Sequence, residues 1–410
     1  MEILSRLPVT HENKQEKIAL VLSIAPPLHR VGYSKDYLPM LQQAEALAEE
    51  LGEEKKRVHI RSLIGVYYVG TGGDPQLGWK YLEECMNHPD MEGNAELAVP
   101  VAFNTISSFS VSGDFLKTCR IAPTVIGLIE RSGTRNRSFG TPHNVYAFMF
   151  AVWGIATSAT GNFDRGEELL EKALSFALDM DHQFTLGFVE WHYGMIYAIK
   201  GDGHRSAEHL RKAIRYMEDS QTVIHQGPVW SWLGLAHLFM GETEPALEFT
   251  RKGLQMHTDV GVLFFQSMCH WLLSQVHLEL GDTENARAHA EMALKCSSNN
   301  NERYIQGISR IFLERALAKT EQKLAEAEQQ ILRGLEILEA LGLRPFYSMG
   351  YLGLGEVYAE IGQKQDALSY VSCFSLNCPY TSILLLRPCG PETGGWYFRP
   401  GIWPDPAAVS

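Results

Sequence analysis

The amino-acid sequence predicts an all-α fold, a right-handed superhelical solenoid of helical hairpins that repeats about every 40 residues. Three sets of positions recur in phase at that interval. They are small residues at Gly154, Gly194, Gly234 and Ser274, turn glycines at Gly161, Gly201, Gly241 and Gly281, and second-helix residues at Ala173, Ala213, Gly253 and Ala293. A fixed period between roughly 20 and 50 residues is typical of stacked helical repeats.

The segment from Phe150 to Ala173 shows how one hairpin is encoded. An apolar helical run contains Gly154, the pair Gly161-Asn162 ends that run, and a second amphipathic run closes on Ala173. We expect the small residue of each first helix to lie where the second helix crosses it, because a large side chain would hold the two backbones apart.

The composition limits the partners and the environment of the chain. Its 410 residues carry a formal net charge of −12, which argues against nucleic acid as the main partner because nucleic-acid-binding proteins usually display a basic face. The N-terminal residues lack the apolar core of a signal peptide, and the most hydrophobic window, Val145 to Thr157, is too short to cross a bilayer. The seven cysteines include no C-x-x-C pair and are expected to be reduced thiols. These features predict a cytoplasmic protein without a membrane partner.

Five units are expected along the chain. In order, they are incomplete N-terminal repeat helices at 1–57, two divergent repeats at 58–131, an insertion loop at 132–141, six repeats at 142–371, and an irregular tail rich in Pro, Gly and Cys at 372–410. The insertion is polar and glycine-rich, and it shifts the phase of the repeat once. The last of the six repeats is truncated where the tail begins.

Local features within these units lead to narrower expectations. A short helix from Glu16 to Ser23 should stop at Pro26-Pro27, since proline removes a helix hydrogen bond. A turn is expected at Gly72-Gly73. The fifth repeat of the second half is degenerate, because its small position falls at Arg315 and its turn at Gln322.

The tail begins abruptly within what should be a second helix. Its proline density is incompatible with that helix, so it is either a flexible extension or the product of a reading frame that changes near Ser372. The abrupt loss of the pattern favours the change of frame.

The sixth repeat places large, Leu, small and large residues at a fixed spacing, namely Tyr351, Leu354, Gly355, Tyr358 and Ala367. This spacing resembles the tetratricopeptide repeat, although that family has a shorter period of about 34 residues. The longer unit resembles MalT-like repeats and, more closely, the C-terminal repeat region of bacterial class III adenylate/guanylate cyclases that carry an ATPase module. The segments that carry this resemblance are Tyr37–Arg57, Gly161–Leu174 and Tyr351–Leu368. The resemblance implies a sensing or docking arm.

No segment fits a phosphate-binding loop, a G-x-S-x-G elbow or an H-E-x-x-H zinc motif. His237 and His277 stand 40 residues apart at a repeat position that tyrosine occupies elsewhere, which favours packing over metal binding. Cys373, Cys378 and Cys389 offer thiols for a metal or for oxidation, yet an aberrant tail explains them more simply. We therefore expect no enzymatic activity, no cofactor and no metal.

A binding groove is expected on the concave face, which the first helices line. The positions three before and one after each small residue should face this groove. They are Phe103, Ile155, Trp191, Met195, Leu235, Trp271, Gln275, Phe312 and Glu356. Extended peptides and amphipathic helices bind such surfaces, often through aromatic anchors. The alternative is that the hairpins curl tightly and bury these residues against one another.

Three functions remain open at this point. The first is a non-catalytic scaffold or sensor that binds a protein, a peptide or a small apolar ligand in the groove and acts in signalling. The second is the C-terminal regulatory fragment of a cyclase-ATPase protein, whose upstream module would then be a partner. The third is the sensor region of a MalT-like transcriptional regulator. A truncated solenoid also exposes an apolar end, so end-to-end self-association is expected.

Overall fold

The computed structural model describes residues 10–377 except 35, 72–73, 322–323 and 361, together with two short strands at 385–388 and 396–399. Its helices are α1 His11–Val31, α2 Tyr37–Glu50, α3 Glu54–Thr71, α4 Pro75–Met86, α5 Ala95–Ser112, α6 Phe115–Arg131, α7 Val145–Ala159, α8 Phe163–Asp179, α9 Gln183–Ile199, α10 Gly203–Asp219, α11 Gln226–Phe239, α12 Thr243–Val260, α13 Gln266–Glu279, α14 Thr283–Asn299, α15 Arg303–Glu321, α16 Leu324–Ala340, α17 Arg344–Glu360 and α18 Lys364–Asn377. A 3₁₀ turn lies at Pro89–Met91, and β1 Leu385–Pro388 pairs antiparallel with β2 Trp396–Arg399.

Consecutive helices pack as hairpins, and the hairpins stack on one another. From α3 onward the odd-numbered helices form the inner layer and are largely buried, whereas the even-numbered helices bury one stripe and expose charged side chains. The first helix, α1, is mostly exposed or half-buried. The predicted all-α solenoid of helical hairpins is therefore confirmed. No helix among the described residues is both long enough and apolar enough to cross a membrane.

Small residues allow the two helices of a hairpin to touch. A Cβ atom added to Gly154 would lie 2.9 Å from the carbonyl oxygen of Gly166, and one added to Gly234 would lie 2.7 Å from that of Ala246. At Ser274 the hydroxyl instead donates to the Ala286 carbonyl at 2.7 Å. The crossing role predicted for these positions is confirmed.

A second set of close approaches recurs on the first helices at the same interval. A Cβ atom added to Gly227 would lie 2.7 Å from the Gly253 carbonyl oxygen, and one added to Gly307 would lie 3.0 Å from that of Gly334. Each first helix can therefore meet its partner at two points about two turns apart.

The turns also follow the period. Gly161, Gly201, Gly241 and Gly281 all have positive φ, between 76° and 101°, which glycine adopts without strain. A polar cap follows at the same spacing, since the side chains of Asn162, Asp202 and Asp282 accept hydrogen bonds from the backbone three residues later. In three of these four hairpins the local code is thus a glycine to end one helix and an Asx residue to begin the next, while Glu242 follows Gly241 without a side-chain cap.

The first helix is longer than the sequence predicts. Instead of ending before Pro26-Pro27, α1 continues through both prolines to Val31. Ile18, Val21 and Ala25 are buried against α2 and α3, so tertiary packing outweighs the two hydrogen bonds that the prolines remove. The expectation that the prolines stop this helix is wrong.

The insertion, the tail and two of the turns were also predicted from the sequence. The insertion at 132–141 is ordered by its own contacts, for example the bond at 2.9 Å from the Asn144 side-chain amide to the Arg135 carbonyl. The last helix runs six residues past Val371, to Asn377, so the expected tail begins helical and later contains β1 and β2. The predicted turns at Gly72-Gly73 and Gln322 lie outside the described residues.

The solenoid curls until hairpins far apart in the sequence touch. Phe115 at the start of α6 lies edge-on to Tyr304 of α15, with ring centroids 5.8 Å apart. Gly113 faces the same tyrosine so closely that an added Cβ would lie 2.7 Å from it. A Cβ atom added to Gly70 of α3 would lie 3.4 Å from Cδ1 of Phe264. These contacts form a seam, which we define as Gly70, Gly113 and Phe115 against Phe264 and Tyr304.

Candidate functional site

The inner surface of the curl encloses a cavity of about 110 Å³. Residues from α3 through α17 and from the turn before α13 line it, including Val66, Phe148, Met268 and Phe346. Apolar cavities of roughly 150 Å³ take up benzene and stay free of water. At about 110 Å³ this cavity is smaller and has room for one compact apolar group.

The wall of the cavity is built largely from aromatic rings. Phe148 stacks on Phe188 with centroids 5.0 Å apart, and Phe188 meets His192 at 4.1 Å. Trp191 lies edge-on to Phe265 at 5.5 Å. Because these rings come from α7, α9 and the turn before α13, the curl brings together side chains that are more than 100 residues apart.

The polarity of the cavity is low. None of the described lining residues is Asp, Glu, Lys or Arg. Two lining serines, Ser107 and Ser110, donate their hydroxyl protons to carbonyls of their own helix at 2.8 and 3.2 Å. A charged group would lose its hydration here without gaining an ionic partner, so the cavity favours uncharged groups.

Two of the polar groups that line the cavity belong to adjacent residues of α9. The Nδ1 of His192 lies 2.7 Å from the Phe188 carbonyl oxygen, and burial lowers the pKa of His192 to about 4. The neutral ring therefore carries its proton on Nδ1. Trp191 is 2% exposed, and its Nε1 has no hydrogen-bond partner among the described residues.

Four of the nine residues that the sequence places in a groove line this cavity, namely Phe103, Ile155, Trp191 and Met195. They lie on α5, α7 and α9, the three helices that supply half of the residues lining the cavity. Phe103, Ile155 and Trp191 are at most 3% exposed, so solvent reaches little of these side chains. The sequence allowed either a groove or a tight curl that buries these residues, and the structure shows the tight curl.

The other five predicted residues do not line the cavity. Leu235 is buried in the core, and Gln275 is 6% exposed with no partner for its Oε1 among the described residues. Trp271 packs edge-on against Trp232 with centroids 5.7 Å apart. Phe312 and Glu356 both pack on Arg315.

Arg315 forms a buried ion pair. Its Nε donates to Glu356 at 2.7 Å and its Nη2 to the other oxygen of that carboxylate at 2.9 Å, while Glu279 lies 3.5 Å away. The pKa of Arg315 is raised by the two carboxylates although burial acts in the opposite direction. This network joins α13, α15 and α17, so its geometry supports a structural role.

Sequence reasoning missed the turn that delivers Phe265 to the cavity. Phe265 has φ of 67°, a conformation that bulky residues rarely adopt. The turn is held by Asn300, which donates to the Leu263 carbonyl at 3.1 Å, and by His257, whose Nε2 lies 2.8 Å from the Phe264 carbonyl oxygen. A residue with positive φ recurs every 40 residues in the turns between hairpins, at Asp181, Gln221, Gly261 and Asn301. Only Gly261 makes this conformation recognisable in the sequence, because the other residue types do not indicate a positive φ.

The repeated histidines have partners in their own hairpins. His277 Nδ1 lies 2.9 Å from the Asp282 carboxylate, and His237 pairs with Glu242 in the same way. Within the part of the chain that the structure describes, no group of three or more His, Cys, Asp or Glu residues is placed to hold a metal ion.

No protein-family model matches the chain, and no curated protein does. Solved structures do. A Rap protein complexed with competence and sporulation factor superposes with a TM-score of 0.64 at 10% identity, over 88% of this chain and 97% of the other. A Rap conjugation gene regulator of the plasmid pLS20, in complex with the Phr* peptide, gives a TM-score of 0.53 at 14% identity, over 88% and 94%.

A third similar structure is a signal transduction ATPase with numerous domains from Pyrococcus horikoshii, which has a tetratricopeptide repeat sensor. Its TM-score is 0.51 at 13% identity, and the match covers 89% of this chain but 52% of that one. At these identities the likeness shows a shared fold, a solenoid of tetratricopeptide-like hairpins. These three structures do not support the narrower resemblance to cyclase or MalT-like repeats.

Proposed function

We propose that this chain is a peptide-binding or protein-binding sensor solenoid without catalytic function, and that its central cavity receives an uncharged apolar anchor of the partner. The observation that carries the proposal is the convergence of α5, α7, α9 and the turn before α13 on one aromatic cavity with no charged lining residue among those described. The two Rap structures, crystallised with a signalling factor or a peptide, support the same kind of partner.

Selection from a random peptide library against the full chain tests this proposal. Peptides that bind should share a compact apolar residue, and their affinity should fall at least ~10-fold for Ser107→Trp, which fills the cavity with an indole. Ser23→Trp on the exposed face of α1 is the matched control and should leave affinity unchanged. Circular dichroism and the thermal midpoint establish that both variants fold.

Two results would contradict the proposal. One is a folded Ser107→Trp variant that binds the selected peptides as tightly as the unaltered chain does. The other is a set of selected peptides without a common apolar residue, whose binding is lost only through substitutions on the outer, even-numbered helices.

A second candidate is the regulatory arm of a larger ATPase or cyclase protein, with a MalT-like regulator as a related form. It is favoured by the structural match to about half of the Pyrococcus ATPase. In that case this chain would correspond to the matched half of a longer protein. Sequencing the locus tests it. A contiguous ATPase or cyclase coding region in frame with Met1 would support the arm, whereas an independent promoter and a stop codon upstream would argue for a separate adaptor.

A further inference from the structure

We infer that the cavity recognises one uncharged peptide group next to one compact apolar side chain, with Trp191 Nε1 donating to the carbonyl oxygen of that group and His192 Nε2 accepting from its N–H. This inference rests on the proposed function and names the chemistry of the same site. It is carried by an unpaired donor and a fixed tautomer on neighbouring residues of α9.

The inference depends first on the indole N–H of Trp191. Trp191 lines the cavity, is 2% exposed, and has no partner for Nε1 among the described residues. Burying a donor without an acceptor costs free energy, and native proteins rarely leave such a group unpaired. An acceptor that enters the cavity from a ligand would remove this cost.

His192 supplies the complementary group. Its Nδ1 must carry the proton, because the atom that it faces at 2.7 Å is the Phe188 carbonyl oxygen, which only accepts. Since the ring is neutral, Nε2 is left as an acceptor on a residue that also lines the cavity. The ring centroids of Trp191 and His192 lie 5.2 Å apart, and both residues line the cavity.

One donor beside one acceptor matches a peptide group, which has one of each. A carboxylate has acceptors only and an ammonium has donors only, and either would enter a cavity whose described lining residues include no opposite charge. The total volume of about 110 Å³ is smaller than the roughly 150 Å³ that takes up benzene, so the apolar part of the ligand is a compact aliphatic side chain such as that of leucine.

The test uses N-acetyl-leucine N-methylamide, which carries one leucine side chain between two peptide groups, and titrates it into the full chain labelled with ¹⁵N at the tryptophan indoles. The Trp191 indole signal, identified by its loss in Trp191→Phe, should move downfield as the compound binds. Trp191→Phe should weaken binding ~3- to 10-fold, the usual effect of losing one neutral hydrogen bond. N-acetyl-lysine N-methylamide should bind at least ~10-fold more weakly.

Trp271→Phe is the matched control, since Trp271 Nε1 is also buried and unpaired among the described residues but does not line the cavity. It should leave the affinity for the leucine compound unchanged. If Ser107→Trp abolishes binding while Trp191→Phe does not alter it, the assignment of Trp191 is overturned and the proposed function stands. Absence of binding to the unaltered chain also overturns the inference, whereas the peptide selection decides the proposed function separately.

Discussion

The hairpins α11/α12 and α15/α16 occupy equivalent places in the solenoid but fill their interiors differently. In α11/α12 the first helix meets the second at both Gly227 and Gly234, so backbone touches backbone at two points. In α15/α16 only the first contact is kept, at Gly307, and farther along the helix Arg315 carries a buried guanidinium.

The difference lies in where the stabilising contacts point. The glycines hold a hairpin together internally, whereas Arg315 reaches across to Glu356 of α17 and Glu279 of α13. Gly353 leaves room for its side chain, since an added Cβ would lie 3.1 Å from Arg315 Cδ. A repeat can therefore lose a small residue inside the hairpin and replace it with an ion pair between hairpins.

The largest expected effect is that of Arg315→Ala. Glu356 is 7% exposed and would lose its bidentate partner, and a buried charge left unpaired typically costs about 3–5 kcal/mol. We expect the free energy of unfolding in urea to fall by that amount. Arg205→Ala, which removes an exposed pair with Asp202, should change it by less than about 1 kcal/mol.

The double variant Arg315→Met/Glu356→Met sharpens this test. Replacing both members of a buried pair by apolar residues is often neutral, so the double variant should be more stable than Arg315→Ala alone. A single variant that unfolds like the unaltered chain would show that the ion pair does not stabilise the C-terminal hairpins.

Gly234→Ala examines the other side of the comparison. The added methyl group would lie 2.7 Å from the Ala246 carbonyl oxygen and 2.8 Å from the Thr250 nitrogen, so the backbones must separate. A cost of about 1–3 kcal/mol is typical of such overpacking and exceeds the gain in helix propensity. Thermal unfolding monitored by circular dichroism measures it.

Gly127→Ala is the control for this substitution. It lies within α6, and only the end of the Arg131 side chain, at 3.2 Å, is close to the added methyl group. This variant should be neutral or gain up to about 1 kcal/mol. Equal destabilisation by the two alanines would remove the argument that backbone contact at Gly234 defines the hairpin.

The sequence predicts the hairpins well because their determinants are local and periodic. Gly161 with Asn162, and Gly201 with Asp202, encode each turn and cap within two residues. Arg315 and Glu356 stand 41 residues apart, which is nearly one repeat. Their pairing could therefore also be predicted, if a charged residue at a position that is normally small is taken to indicate a charged partner in the next repeat.

The central cavity could not be predicted from local, periodic residues as the hairpins could. The curvature of a solenoid follows from small rotations at each repeat, which add up over the array. Contacts such as Phe115 with Tyr304 therefore join residues whose approach no local pattern encodes. For this reason the sequence placed Phe103 and Trp191 on the concave face but left open whether they would be buried.

The smallest expected effect concerns a second ionisable group of the fifth repeat, Glu302, which immediately precedes α15. Regular repeats place Thr222 and Val262 at this position, and both are buried and uncharged. Glu302 is 1% exposed, accepts a hydrogen bond from the Ser267 hydroxyl, and is held near Asn300, while burial raises its pKa from 4.5 to about 8.

Because the folded-state pKa of Glu302 is the higher one, the folded chain retains a proton that the unfolded chain releases between about pH 4.5 and about pH 8. The contribution of this group to stability is therefore fully present below pH 4.5 and is lost as the pH rises toward 8. Its slope is at most about 1.4 kcal/mol per pH unit, the value for one proton. Glu302→Gln keeps the shape and should remove that slope.

Urea unfolding of both chains between pH 6.5 and 8 isolates the effect of Glu302. Burial lowers the pKa of His257, His270 and His289 to about 4, so these histidines act in the opposite direction and at lower pH, between their folded and unfolded pKa values. Parallel stability curves for the two chains above pH 6.5 would show that Glu302 is ionised in the folded state. The fifth repeat would then hold the Glu302 carboxylate as a buried charge in addition to Arg315.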